Sequence, residues 1–348
     1  MMIDRELAGH ITFDDKSPIT DSQRNRFIVS ALMEEAIASS QLEGASTAHR
    51  VAKEMLRRER PPRDRSEQMI VNNYRAMMFI REQRHTPLTT DLLIELQRIL
   101  TQETLDRPDE CGRLRREGET VVVEDPYGEE LHTPPAASTL PGRLKALCAF
   151  ANEPIAHETR FVHPVVRAMT LHFQLAYDHP FCDGNGRTAR TLFYWYMLRT
   201  GYWLFEFLPI SKLISQSPSK YGIAYQYVET DEFDLTYFLN YHARIIRLAR
   251  NDLRQYLARK RHEMQVARSA FRTLDINDRQ RSLLLDALER PGREFTFDAH
   301  QTRHQISYPT ARTDLLTLES LGYLDRRKIG KRFIFVATPR VSEDASTE

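Results

Sequence analysis

The chain has 348 residues, more than one hydrophobic core ordinarily holds, so two or three folding units are expected. It is 41% hydrophobic and 28% charged with a formal net charge of +1, the make-up of a globular protein and not of one devoted as a whole to a polyanion. Three scattered cysteines (Cys111, Cys148, Cys182) argue against a disulfide framework or zinc cluster; no apolar run reaches the roughly 18 residues of a membrane span, so a cytoplasmic chain with no membrane partner is expected.

The first strong helical pattern runs from Asp21 to Leu42, where Ile28, Leu32 and Ala36 recur every fourth residue and define a core-facing stripe. Ser39 and Glu43 extend that stripe, and Gly44 is a natural residue to end the helix. Residues Glu119 to Glu124 (ETVVVE) have strand character and DPYGEE supplies a turn, so a small hairpin inside a helical body is expected. Pro164 suits the first position of a helix reaching about Tyr177. Another helix runs from Arg187 to Leu198, and one or two long ones span Phe233 to about Arg268. Within that stretch, His242 to Arg268 is basic and amphipathic, and a solvated connecting helix is its plainer reading. Beyond Thr273 the order is helix, turn, helix and then a basic strand–turn–strand, the pattern of a winged helix. Arg326, Arg327, Lys328 and Lys331 would form the wing tip; a generic small α/β module is the alternative.

The chemistry concentrates between Asp178 and Arg190. Gly184-Asn185-Gly186 can take positive φ values, so that successive N–H groups converge on one point, and a helix follows directly. A glycine-rich turn into a helix N-terminus is an anion cradle. Arg187 and Arg190, three apart, reach the same helix end, and two guanidiniums suit a polyphosphate better than a single carboxylate. Asp183 beside a phosphate site implies an intervening cation, Mg²⁺, with Mn²⁺ as the substitute. His179 stands where a neutral imidazole would take a proton from an incoming hydroxyl. A Walker loop is excluded because no GK(S/T) follows the glycines, and His163, His172 and His179 lack the spacing of a metal hydrolase.

The segment HPFCDGNGRTAR resembles the Fic signature HPFx(D/E)GNGRxxR at every defined position. GRLRREGETVVV and HTPP are similar to that family's flap region, and Pro209-Ile210-Ser211 with Lys220-Tyr221 to its tail. The resemblance covers roughly residues 1–270 and implies a mainly α protein: a Fic helical core with a small β-hairpin flap, an N-terminal helical segment and a C-terminal winged-helix (α+β) domain. The corresponding domains are 1–105, with an inhibitory helix over about 21–44; 106–270, the core; and 273–340. It further implies transfer of AMP from ATP to a Ser, Thr or Tyr hydroxyl of a target protein, the chain itself included. His179 would be the general base and Asp183 the metal ligand. Gly184, Asn185 and Gly186 would bind phosphates, Arg187 the β-phosphate and Arg190 the γ-phosphate, with Tyr221 at the adenine. Thr120, Val121, Val122 and Val123 would pin the target by strand addition. Related Doc-like kinases carry lysine where this chain has Gly186 and keep no second arginine, so AMP is the expected group transferred.

Ser39-Ser40-Gln41-Leu42-Glu43-Gly44 resembles the family's inhibition motif (S/T)xxxE(G/N). The resemblance implies that Ser39 and Glu43 hold Arg190 away from the γ-phosphate, and a homodimer stabilising this state is consistent with it. Two other readings stay open. One is an ATP-sensing regulator that contacts DNA or protein through residues 273–340; the other is an enzyme that also removes AMP.

Overall fold

The computed structural model describes residues 21–119, 121–124, 130–155, 161–330 and 332–346. Thr120, the turn at 125–129 and Lys331, all singled out above, lie outside the described residues. The chain divides into two compact units, one up to Leu253 and one from Arg254 onward.

The first unit carries α1 (Asp21–Leu42), α2 (His49–Arg57), α3 (Arg65–Glu82) and α4 (Thr90–Thr101), then strands β1 (Val123–Glu124) and β2 (Glu130–His132). It continues with α5 (Leu140–Asn152), α6 (Pro164–Asp178), α7 (Asn185–Arg199), α8 (Ile210–Ile214), α9 (Pro218–Thr230) and the first part of α10 (Thr236–Arg272). Local sequence sets the starts. Asp64 and Thr89 cap α3 and α4 by accepting the N–H groups of Glu67 and Leu92. Pro164 occupies the first turn of α6, and the His163 ring caps it by accepting the Val165 N–H. The residues Ile28, Leu32, Ala36 and Ser39 of α1 are buried, as their spacing predicts. Gly44, at φ +91°, ends that helix with paired reverse hydrogen bonds, Gly44 N–H to Gln41 O and Ala45 N–H to Ser40 O.

At the centre is α7, where every side chain from Arg187 to Leu198 is buried. The run Leu-Phe-Tyr-Trp-Tyr makes its second half apolar all round, and such a segment must be enclosed. It packs chiefly on α6, and also on α1, α3 and α4. Burying each large apolar side chain contributes roughly 1.5–3 kcal/mol. Bringing Arg187 and Arg190 inside on the same helix costs several kcal/mol per ion, so both need partners there.

The hairpin is smaller than the sequence suggests. Among the described residues only Val123 and Glu124 form the first strand, paired antiparallel with His132 and Glu130 across an irregular register. Val121 and Val122 precede it, half-buried and outside regular structure.

The second unit contains the end of α10, then α11 (Asp278–Glu289), β3 (Glu294–Phe295), α12 (Phe297–His304), α13 (Tyr308–Ser320), β4 (Leu324–Ile329), β5 (Arg332–Ala337) and α14 (Arg340–Ala345). Its antiparallel sheet has the order β3-β5-β4. Phe271, Leu284, Leu315, Leu318, Leu324 and Phe335 build its core. Beneath α13, buried Asp314 receives Arg279 and the Asn277 amide and meets the His300 ring, joining α11, α12 and α13. No described helix is long and apolar enough to cross a membrane.

Candidate active site

Helix α6 ends at His179, which takes the left-handed conformation at φ +44° and ψ +56°. A non-glycine residue there costs of order 1–3 kcal/mol unless its surroundings hold it. Several groups do. The His179 N–H bonds to Leu175 O, its carbonyl accepts Arg115 Nε at 2.8 Å, and its Nδ1 lies 2.7 Å from Ala176 O. A carbonyl only accepts, so Nδ1 carries the proton and Nε2 keeps its lone pair. Burial lowers the ring's pKa, outweighing Ala176 O and the Glu43 charge, which act in the opposite sense. The imidazole is therefore neutral at pH 7, the state a general base requires.

The turn that follows is fastened from within. Asn185 accepts the Phe181 N–H at 3.0 Å and donates to the Phe181 carbonyl at 2.8 Å, while Phe181 itself is fully buried. Gly184, at φ +84°, precedes α7 and leaves no room for a side chain beside Thr101. Asp183 accepts the Gly184 N–H at 2.5 Å and Arg187 Nη2 at 3.2 Å through one carboxylate oxygen. Among the described residues its other oxygen accepts no hydrogen bond, and its side chain is 39% exposed. That free oxygen beside the cradle fits Mg²⁺, which takes one or two carboxylates and completes its shell with water and phosphate. A separate trio of Glu110, Glu119 and Cys182 also has ligand-type atoms close together. There Glu119 is already held by Arg113, and burial and Glu119 push the Cys182 thiol up to about 12.

Arg187 is fully buried and donates to Leu100 O at 3.0 Å as well as to Asp183. Arg190, also buried, is held by α1. Its Nε donates to Ser39 Oγ at 2.9 Å, and its Nη2 to Ser39 O at 3.0 Å and Glu43 Oε1 at 2.8 Å. The Glu43 carboxylate lies against Gly186, so that a methyl on that glycine would overlap it. Burial works to raise the Glu43 pKa, but the guanidiniums of Arg190 and Arg187 outweigh it and hold the carboxyl below its ordinary value. An anion from the chain itself thus sits on the first turn of α7, where helix dipole and arginines favour negative charge.

The contacts between α1 and α7 form an antiparallel seam. Glu43 meets Gly186, Ser39 meets Arg190, and buried Glu35 accepts the Tyr194 hydroxyl at 2.8 Å. Each step of four along one helix matches a step of four back along the other. Glu35 also accepts the Ser211 N–H at 2.9 Å and its hydroxyl. Neither Glu35 nor Arg115 was among the residues predicted to matter. For Glu35 a signal was present, since it lies four residues before Ser39; for Arg115 the partners His179 O and Pro135 O are 64 and 20 residues away.

Tyr221 is turned inward. Its hydroxyl is 2.8 Å from His172 Nε2 and 3.1 Å from Tyr225 Oη. On the flap side, His132 has Glu229 at 2.8 Å from Nδ1 and Tyr177 O at 2.8 Å from Nε2. Burial disfavours its charge, yet Glu229 and that carbonyl prevail and raise its pKa.

Residues 87–197 match the sequence model of the Fic/DOC family. The chain is 35% identical over 120 residues to "Protein adenylyltransferase Fic" of Nematostella vectensis, covering 34% of this chain and 25% of that protein. It is 31% identical over 118 residues to "Protein adenylyltransferase fic-1" of Caenorhabditis elegans, covering 34% and 21%. The chain thus spans about a quarter or less of the length of these relatives. Among solved structures, a Fic family protein from Desulfovibrio desulfuricans G20 superposes with a TM-score of 0.60 at 18% identity, covering 96% of this chain and 93% of the other. Fic-1 from C. elegans superposes at 0.51 and 20% identity, covering 69% and 66%. These superpositions speak to the fold.

Proposed function

We infer that this chain, which carries a Fic/DOC family domain over residues 87–197, is a protein adenylyltransferase that moves AMP from ATP to a hydroxyl side chain and holds itself off through Glu43. The observation that carries this reading is His179, its Nδ1 held by Ala176 O, directly before an anion cradle whose Arg190 is bound by Glu43.

In this mechanism the target hydroxyl attacks the α-phosphorus of ATP and passes its proton to His179 Nε2. The bond from the α-phosphorus to the bridging oxygen breaks, and pyrophosphate leaves. The N–H groups of the Gly184-Asn185-Gly186 turn and the start of α7 receive phosphate oxygens, with Arg187 at the β-phosphate and Arg190 at the γ-phosphate. Mg²⁺ bound at Asp183, when present, would neutralise charge that builds on the leaving pyrophosphate. Val121 to Val123 would pair with the backbone of the target segment. Glu43 excludes the γ-phosphate because two anions cannot share Arg190 and the space over Gly186. Full activity therefore requires Glu43 to leave.

The test uses Glu43→Gly with ATP radiolabelled at the α- or the γ-phosphate. Self-labelling from the α-label alone, stronger than in the wild type and lost in Glu43→Gly/His179→Ala, is expected. Equal labelling by wild type and Glu43→Gly would remove the brake, and incorporation of the γ-label would make the enzyme a kinase.

A second reading concerns the unit from Arg254 onward, whose helix–strand–helix–helix–hairpin order supports a winged helix that contacts nucleic acid. Arg312 on α13 and Arg326, Arg327 and Lys328 on β4 are exposed, cations of the kind phosphates bind, although Arg326 also pairs with Glu319. Loss of a duplex gel shift in Arg312→Glu/Arg327→Glu is expected; no shift by the wild type at low salt would rule this reading out.

A further inference from the structure

His132 takes no direct part in the transfer, yet it joins three elements. It ends β2, where it is paired with Val123 of β1. Its Nδ1 lies 2.8 Å from the Glu229 carboxylate of α9, and its Nε2 lies 2.8 Å from Tyr177 O of α6. The side chain is only 9% exposed, with the Tyr177 ring 4.8 Å away. A carbonyl and an ionised carboxylate only accept, so both ring nitrogens donate and the ring is an imidazolium.

The last turn of a helix leaves carbonyls without partners and carries partial negative charge, which suits a cation. In α6, Ala176 O meets the His179 ring, Asp178 O and His179 O accept Arg115, and Tyr177 O is left to His132. Arg115 also donates to Pro135 O, three residues beyond His132, so the hairpin is fastened to this helix end at two points. The base His179 follows Tyr177 by two residues, and Val123 stands opposite His132. One side chain therefore sets the spacing between the strand assigned to the target and the base assigned to its proton.

We propose that His132 is a positioning residue: as a doubly donating imidazolium it locks the hairpin to α6 and α9, so that a hydroxyl pinned along Val121 to Val123 meets His179 Nε2. The proposal rests on the adenylyltransferase reading given above. The charged and titratable groups facing the ring are Glu229 from α9 and, from α6, Tyr177, Asp178 and His179; Arg143 of α5 pairs with Asp178. Burial opposes the charge on His132, but Glu229 and the Tyr177 carbonyl outweigh it and raise the pKa. The lock is thus complete below the folded pKa and is lost as pH rises through it.

The test measures α-phosphate self-labelling of Glu43→Gly at saturating ATP, with ATP affinity by calorimetry and a thermal melt for each variant. Glu43→Gly/His132→Gln is expected to label about ten-fold more slowly than its parent at neutral pH, less than a full 1 Å misplacement of reacting groups can cost. Its ATP affinity should stay within about two-fold, because the ring bonds no part of the phosphate cradle. The gap between the two proteins should close as pH rises, because the parent then loses the same lock. Glu43→Gly/Glu229→Gln keeps an oxygen for Nδ1 but removes the charge that holds the proton, so its labelling should decline at lower pH than the parent's. Equal labelling by His132→Gln and its parent would overturn the proposal while leaving the adenylyltransferase reading intact. So would a deficit that is the same at every pH with no shift in Glu229→Gln, or a parallel loss of ATP affinity and melting temperature, since either makes His132 a support of the fold alone. A Glu43→Gly parent that takes up no α-label would overturn that reading, and the proposal with it.

Discussion

A single residue, His179, combines strain, tautomer and pKa. Its left-handed backbone aims the ring, the Ala176 carbonyl fixes the proton on Nδ1, and burial lowers the pKa. Below the folded pKa the ring gains a proton and the base is lost, so kcat/KM of Glu43→Gly should be flat near pH 7 and fall only beneath the ordinary histidine value of 6.5. An acid limb centred above pH 7 would contradict this. Arg115 holds the same residue from outside, its guanidinium on His179 O and Pro135 O and its N–H on Pro180 O. Arg115→Lys keeps the charge but loses the fork. It should lower kcat by about a hundred-fold, the scale of a small misplacement of the base, with ATP affinity little changed. The twelve residues from His179 to Arg190 were legible in the sequence because their chemistry is local. Arg115 was not, because its task is to bond carbonyls, and any arginine can do that.

Between elements, the α1–α7 seam decides whether Glu43 reaches Arg190. Glu43 is the outermost rung, and Glu35 is the innermost, buried and triply hydrogen-bonded. Burial raises the Glu35 pKa against those bonds. A raised carboxyl pKa means that ionised Glu35 weakens the fold as pH rises through it, whereas Glu43, whose pKa is lowered, stabilises the seam at all pH above the ordinary carboxylate value and fails only in stronger acid. Glu35→Ala should destabilise the protein by about 2–3 kcal/mol in chemical denaturation, since the Tyr194 hydroxyl and Ser211 N–H lose a buried partner. It should also raise self-labelling above wild type, though less than Glu43→Gly, because Ser39 and Glu43 remain. Unaltered labelling would confine Glu35 to stability. The periodicity of Ile28, Leu32 and Ala36 marked the buried face of α1 correctly. It could not mark the partner helix, because α7 is buried on every side from Arg187 to Leu198 and so shows no face of its own. The small hairpin was legible as such, but not where its pairing begins: Val121 and Val122 have strand propensity, and pairing, not propensity, makes a strand.

For the whole molecule, the division at Leu253 and Arg254 gives each unit a hydrophobic core of its own. The order of helices and strands from α11 to β5 was readable from turns and alternation, while the buried charge beneath α13 was not. Asp314 is 2% exposed and is tied to Arg279, Asn277 and His300; burial opposes its charge, and these partners prevail and lower its pKa. Removing that carboxylate takes a buried acceptor from the Asn277 amide and the His300 ring, while Arg279, 34% exposed, can turn to water, a change worth about 1–3 kcal/mol. Because the residues proposed to bind phosphate and to hold the base all lie before Leu253, the loss should fall on one unit alone. Asp314→Ala in the Glu43→Gly background should therefore lower the melting of the second unit in calorimetry and leave α-phosphate self-labelling within about two-fold of its parent, since two sites without shared partners add independently. A parallel collapse of labelling and of that melting transition would show that the catalytic unit depends on the second core for its fold.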